Sequence, residues 1–142
     1  MNMATLERAI QIAVQAHTGQ KDKRGAPYIL HPLHLMSKMY TDPERIIAVL
    51  HDVVEDSDWT LEQLRNEGFS DEVLAAVDCM THRADESYQD FIDRANLNTL
   101  ARTVKIADLL HNLDASRILE LTDKDVARIR KYQKALAVLV NS

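Results

Sequence analysis

Cysteine is almost missing from this chain, with Cys79 alone in 142 residues, which excludes an internal disulfide and leaves no second thiol for a zinc-finger pattern. Glycine and proline are scarce at three each, and aromatic residues make up 5%. A turn-rich β architecture draws on all of these, so the composition favours packed helices and an all-α fold. Long apolar runs are missing too. No stretch reaches the ~18 residues of a membrane span, and Glu7 and Arg8 interrupt the N-terminal segment where a secretory signal needs an apolar run. The expected location is therefore the cytoplasm, with no membrane partner. Positive charge is in deficit, 17 Lys and Arg against 22 Asp and Glu, for a net charge of −5 and a pI of about 5.6. That balance excludes the broad basic face that duplex nucleic acid needs, while a local basic patch can still hold one nucleotide. What the chain does have is 46% hydrophobic and 27% charged residues. This is enough for a real core in a single domain over residues 1–142, with no repeat, linker or low-complexity tract.

Thr5 caps a first helix in which Leu6, Ala9, Ile10, Ala13, Val14 and His17 fall at helical spacing and Gly19 ends the run. The loop GQKDKRGAPYI then delivers three cations, Lys21, Lys23 and Arg24, and Pro32 fits the first turn of a short helix. Thr41, Asp42 and Pro43 open a helix expected to run through Ile46, Ile47, Val49, Leu50, Val53 and Val54, with His51, Asp52, Glu55 and Asp56 at its C-terminal end. Thr60 with Gln63 forms a capping box and Gly68 a stop; Ser70 and Ser87 cap two further short helices. A longer helix is expected over about residues 98 to 118, with Leu100, Val104, Ala107, Leu110 and Leu113 inward and with Asp108 and Asn112 four apart. Thr122 and Asp125 begin a last, core-covering helix whose apolar side holds Val126, Ile129, Leu136, Leu139 and Val140.

The segment HDVVED is chemically unusual. On one continuous helix, His51 and Glu55 would form one polar ridge and Asp52 and Asp56 another beside it. Carboxylates crowded at a helix end repel one another unless a cation relieves them. A His-Asp dipeptide alone carries little weight, because six His and 14 Asp give about 0.6 such pairs by chance. The acidic pair one turn later, His31 just before Pro32, and Asp108 in an otherwise apolar helix make a mixed nitrogen and oxygen metal site one reading. A merely solvated helix end is the other.

The chain resembles the HD-domain phosphohydrolases, and most of all the small alarmone hydrolases and the hydrolase domain of stringent-response enzymes. The residues that carry the resemblance stand in order: Ala16-His17 and Gly19-Gln20, then Gly25, Pro27-Tyr28 and His31-Pro32, then His51-Asp52-Val53-Val54-Glu55-Asp56, and finally Val104-Lys105-Ile106-Ala107-Asp108 with Asn112. The resemblance implies a compact multi-helix HD-domain bundle that removes the 3′-pyrophosphate from guanosine tetra- and pentaphosphate. It further implies a divalent metal, commonly Mn2+, held by His31, His51, Asp52 and Asp108, with the acidic pair Glu55 and Asp56 beside the attacking water and Asn112 near the nucleotide. The metal in such a site activates water and offsets phosphoryl charge.

Lys21, Lys23, Arg24 and Lys105 are the cations available for the substrate phosphates, with solvated side chains as the alternative reading. Asp22 and Lys23 stand nearest to the positions where alarmone hydrolases present Arg and Lys, with Arg24 displaced. That departure motivates a second reading, hydrolysis of another phosphorylated nucleotide or dinucleotide cofactor. A third is a nucleotide-binding sensor without turnover. In each, the partner is a small nucleotide, and the oligomeric state stays open. His17 is expected to make a structural hydrogen bond, His34 and His82 to be partly exposed, and His111 to carry no ligand role. Cys79 reads as a small core residue, and Tyr88, Phe91 and Tyr132 as packing residues.

Overall fold

A computed structural model describes residues 3–114 and 121–141. Among these the chain forms nine helices: α1 Leu6–His17, α2 Leu30–Ser37, α3 Asp42–Leu50, α4 Val53–Asp56, α5 Leu61–Asn66, α6 Asp71–Cys79, α7 Tyr88–Asn96, α8 Thr99–Asn112 and α9 Asp123–Val140. The described residues contain no β-strand; a single bridge joins Lys21 to Pro27 and closes the cationic loop. Gly25 sits at φ 83° in that loop, a backbone state that an L side chain rarely adopts.

Capping explains most helix starts. Thr5, Ser70 and Ser87 each accept the backbone N–H three residues on. Thr41 with Glu44, Thr60 with Gln63, and Thr122 with Asp125 close reciprocal capping boxes. Each satisfies N–H groups that the helix itself leaves unpaired, a contribution of about 1 kcal/mol per cap.

The centre of the molecule is α3. Ile46, Ile47, Ala48, Val49 and Leu50 are all buried, because α1, α2, α6 and α8 surround this helix. Fully burying a Leu, Ile or Val is worth about 1.5–3 kcal/mol, so α3 anchors whatever follows it. A second apolar cluster joins Phe91 and Ile92 of α7, Leu109 of α8, and Ala135 and Leu139 of α9. Helix α8 belongs to both clusters, since Ala101 and Val104 sit in the first and Leu109 in the second. Lys105 and Asp108 therefore lie at the seam between them.

The structure corrects four expectations. The helix opened by Thr41 does not run on through Asp56: it ends at Leu50, and Asp52, at φ −106° and ψ 0°, leaves helical geometry before α4 begins. Short α4 packs against α1 as well as α3, so the chain turns to bury Val53 there. The two side-by-side polar ridges on one helix surface are thus replaced by a bend. The long helix ends at Asn112, with Leu113 as its C-cap, and residues 115–118 of the expected span lie outside the described residues. Leu110 is 54% exposed, opening onto a groove between α2 and α8 that His34 and Ile106 also line. Val126 and Val140 of α9 are exposed as well, because only one side of α9 meets the second cluster.

Candidate metal centre

His51 is the C-cap of α3, buried beneath the core helix. Its Nδ1 lies 2.6 Å from the carbonyl oxygen of Ala48. A carbonyl only accepts, so Nδ1 carries the proton and the neutral ring presents a lone pair at Nε2. That Nε2 is buried and has no aligned hydrogen-bond partner, although it lies 2.9 Å from Asp52 Oδ2 and 3.8 Å from Asp108 Oδ1. Close approach without alignment is what results when a nitrogen lone pair and carboxylates converge on a common point.

His31, in the first turn of α2, points its Nε2 to within 2.8 Å of Asp108 Oδ1. Ligand atoms of His31, His51 and Asp108 all lie within 4.8 Å of one another, and all three residues are buried. The carboxylate of Asp52 borders the same point and accepts the hydroxyl proton of Tyr28. The chemistry of this donor set, two imidazoles and two carboxylates around an orphaned nitrogen, fits a divalent cation. Asp108 also accepts from Lys105 at 2.8 Å and from Asn112 at 3.1 Å. Its carboxyl is held well below the usual range: burial opposes ionisation, but the Lys105 ammonium and the bond to His31 outweigh it.

His31, Asp52, Lys105, Asp108 and Asn112 form the floor of a cavity of about 400 Å3 whose walls include Glu55, Asp56, His82, Tyr88, Phe91 and Lys131. Asp56 is pushed up to about 6, by burial first and then by the charges of Asp52 and Glu55. One oxygen of Glu55 already accepts the backbone N–H of His82 at 2.7 Å, so this carboxylate ties the 81–86 loop to the rim. A second cavity of about 310 Å3 shares Tyr28, Asn112 and Tyr132 with the first and adds Lys21, Asp22, Lys23, Asp125, Arg128 and Ile129. Lys23 and Arg128 both pair with Asp125, at 3.2 and 3.0 Å.

The chain is 38% identical to a GTP pyrophosphokinase of Streptomyces coelicolor over 96% of its own length and 17% of the relative's. It is 31% identical to a guanosine-3′,5′-bis(diphosphate) 3′-pyrophosphohydrolase of Borreliella burgdorferi over 75% of this chain and 18% of that one. A similarly named protein of Aquifex aeolicus is 40% identical over 54% of this chain and 11% of its own length. A solved structure described as a metazoan orthologue of SpoT that hydrolyses ppGpp superposes with a TM-score of 0.78 at 23% identity, covering 98% of this chain and 86% of that one. The chain is similar to proteins of ppGpp metabolism. No protein-family model matches it, and it spans less than a fifth of the length of the curated relatives it matches. Kinase-named and hydrolase-named proteins both occur among these relatives of ppGpp metabolism.

The motif residues are largely brought together. His31, His51 and Asp108 converge with Asp52 beside His51, Glu55, Asp56, Lys105 and Asn112 line one cavity, and Lys21 and Lys23 line the adjoining one. Arg24 lines neither and stays exposed on the loop. Asp22 spends its Oδ1 on the backbone N–H groups of Arg24 and Ala26, so it shapes the loop. Lys105, for which a surface position was the alternative, is buried. His17 makes the expected structural bond, its Nδ1 at 2.8 Å from Gln20 Oε1. Tyr28, His111, Arg128, Lys131 and Tyr132 were missed as site residues. The basic run of α9 was the one available signal for Arg128 and Lys131.

The cluster has a pH signature. Burial disfavours a charged His51, yet Asp52 and Asp108 reverse the balance and raise its pKa from 6.5 to about 9. In metal-free protein the imidazolium therefore stabilises the fold fully below pH 6.5, and that stability is lost as pH rises through 9. The Tm measured in chelator is expected to fall across this window. With a divalent cation in place of the proton the curve should flatten; equal slopes with and without the cation would refute the assignment.

Proposed function

We propose that this chain removes the 3′-pyrophosphate from guanosine tetra- and pentaphosphate with the help of a divalent metal, most simply Mn2+. The observation that carries the reading is the convergence of His31, His51 and Asp108 on one point at the floor of a cavity walled by Lys105, Asn112 and Lys131. In the reaction a bond forms between phosphorus and the water oxygen, the 3′-O–P bond breaks, and the ribose 3′-oxygen takes up a proton. His31, His51, Asp52 and Asp108 would hold the metal, which when bound acidifies water and offsets phosphoryl charge. Asp56, on the cavity wall and with its affinity for a proton raised, is placed to take the proton from the attacking water. Glu55 keeps the His82 loop on the rim of the same cavity. Lys105 lies 4.9 Å over the Phe91 ring and, with Lys131, puts positive charge on the cavity wall.

The adjoining cavity suits the rest of a nucleotide. Lys21, Lys23 and Arg128 supply charge, and Tyr132 an aromatic surface. Arg128 brings a guanidinium from α9 to a site whose loop has Asp22 instead, which favours a guanine nucleotide over the dinucleotide alternative. The acidic pair within the metal cavity favours turnover over a binding-only sensor.

The test is a product-resolved screen with manganese in which guanosine tetraphosphate, its pentaphosphate and phosphorylated dinucleotides are compared. Guanosine tetraphosphate is expected to give GDP and pyrophosphate with the highest kcat/KM. A higher value for a non-guanine compound would overturn the substrate, and bound but unconsumed nucleotide would point to the sensor.

A further inference from the structure

His51 and His31 flank the same point, but their outer nitrogens are held differently. For His51 the partner is the carbonyl of Ala48, which allows one tautomer only. For His31 the partner is a side chain: Nδ1 of His31 lies 2.7 Å from Nδ1 of His111. The two rings are parallel within 4°, with centroids 4.9 Å apart. A nitrogen separation of 2.7 Å is shorter than any face-to-face stack allows, so the rings meet edge to edge through an in-plane N–H···N bond. His34 covers the face of His111, with centroids 3.8 Å apart and planes within 14°, and fixes the ring's orientation.

An N–H···N bond contains one proton, so the tautomers of His31 and His111 are complementary. The 2.8 Å contact between His31 Nε2 and Asp108 Oδ1 likewise needs a proton or a cation between two atoms that would otherwise both be acceptors. With a cation there, the His31 proton must sit on Nδ1, and His111 has to accept it.

We propose that His111 is a positioning residue that selects the metal-binding tautomer of His31, accepting the His31 Nδ1–H at its own Nδ1 when a divalent cation lies between His31 and Asp108. The inference rests on the reading of His31 as a ligand. It assigns to His111 a task that a backbone carbonyl performs for His51, and it makes one ligand of the centre sensitive to a side chain that never touches the cation.

The test measures Mn2+ affinity by the electron paramagnetic resonance of free ion in three proteins. In His111→Phe the ring still stacks on His34 but has no acceptor, and affinity is expected to fall about 10–100-fold. In His111→Gln the side-chain oxygen can accept from His31, and affinity should return to within a few-fold of the unaltered protein. Nitrogen NMR of the unaltered Zn2+-loaded chain provides a check independent of any variant's folding, and should show His31 protonated at Nδ1 and His111 at Nε2. Unchanged affinity in His111→Phe, equal losses in Phe and Gln variants, or a metal-loaded His111 protonated at Nδ1 would overturn the inference. Failure of the unaltered protein to bind Mn2+ would instead overturn the ligand reading beneath it.

Discussion

Asp52→Asn is expected to lower metal-dependent hydrolysis of guanosine tetraphosphate by roughly 100–1,000-fold while leaving the fold intact. A ligand set that loses one carboxylate loses charge and affinity together, and a bound metal contributes several kcal/mol of transition-state stabilisation at about 1.4 kcal/mol per tenfold in rate. The fold should survive because Asp52 is partly exposed and sits at the bend between α3 and α4, outside the apolar clusters. The amide can still accept the Tyr28 hydroxyl. Steady-state rates over a manganese titration, with circular dichroism melts alongside, separate the two effects. Activity within threefold of the unaltered protein at saturating metal would remove Asp52 from the ligand set.

The second large effect is on stability. Lys105 and Asp108 form an ion pair at 2.8 Å with 10% and 7% of their side chains exposed, at the seam between the apolar clusters. Removing one partner of a buried pair strands the other charge, at about 3–5 kcal/mol. Lys105→Met is therefore expected to lower Tm by roughly 10 °C or more for a chain of this size. Burial alone would strip the ammonium of its proton, but Asp108 more than offsets this and raises the Lys105 pKa, so the pair stays charged through neutral pH. Added Mn2+ should restore part of the loss in Lys105→Met, because a cation at His31 and His51 again compensates Asp108. A Tm change below 3 °C in chelator would show that the pair is solvated after all.

Much of the framework was legible because it is local. Thr41 and Glu44, Thr60 and Gln63, and Thr122 and Asp125 lie three apart, and their hydrogen bonds form within a single turn whatever the rest of the chain does. The motif order likewise pointed to His31, His51, Asp52 and Asp108 without any knowledge of distances. The bend at His51-Asp52 was not legible: Val53 and Val54 continue a helical pattern, and only the packing of α4 on α1 diverts it. Lys105 could be read as exposed because, although Asp108 stands three residues on, nothing near it in the chain reveals that Phe91 of α7 covers it.

Residue types and their order thus determined an all-helical scaffold, its caps and the candidate ligand set, since these depend on periodicity and on side-chain chemistry. Tertiary structure alone decided how that set is held. His31 meets Asp108 across 77 positions and His111 across 80, and Lys23 meets Asp125 across 102. Contacts of this kind exist only once α2, α8 and α9 have packed against the core. The same packing turned His111 from an unassigned histidine into the partner of His31, and Asp22 from a misplaced recognition residue into the brace of its own loop.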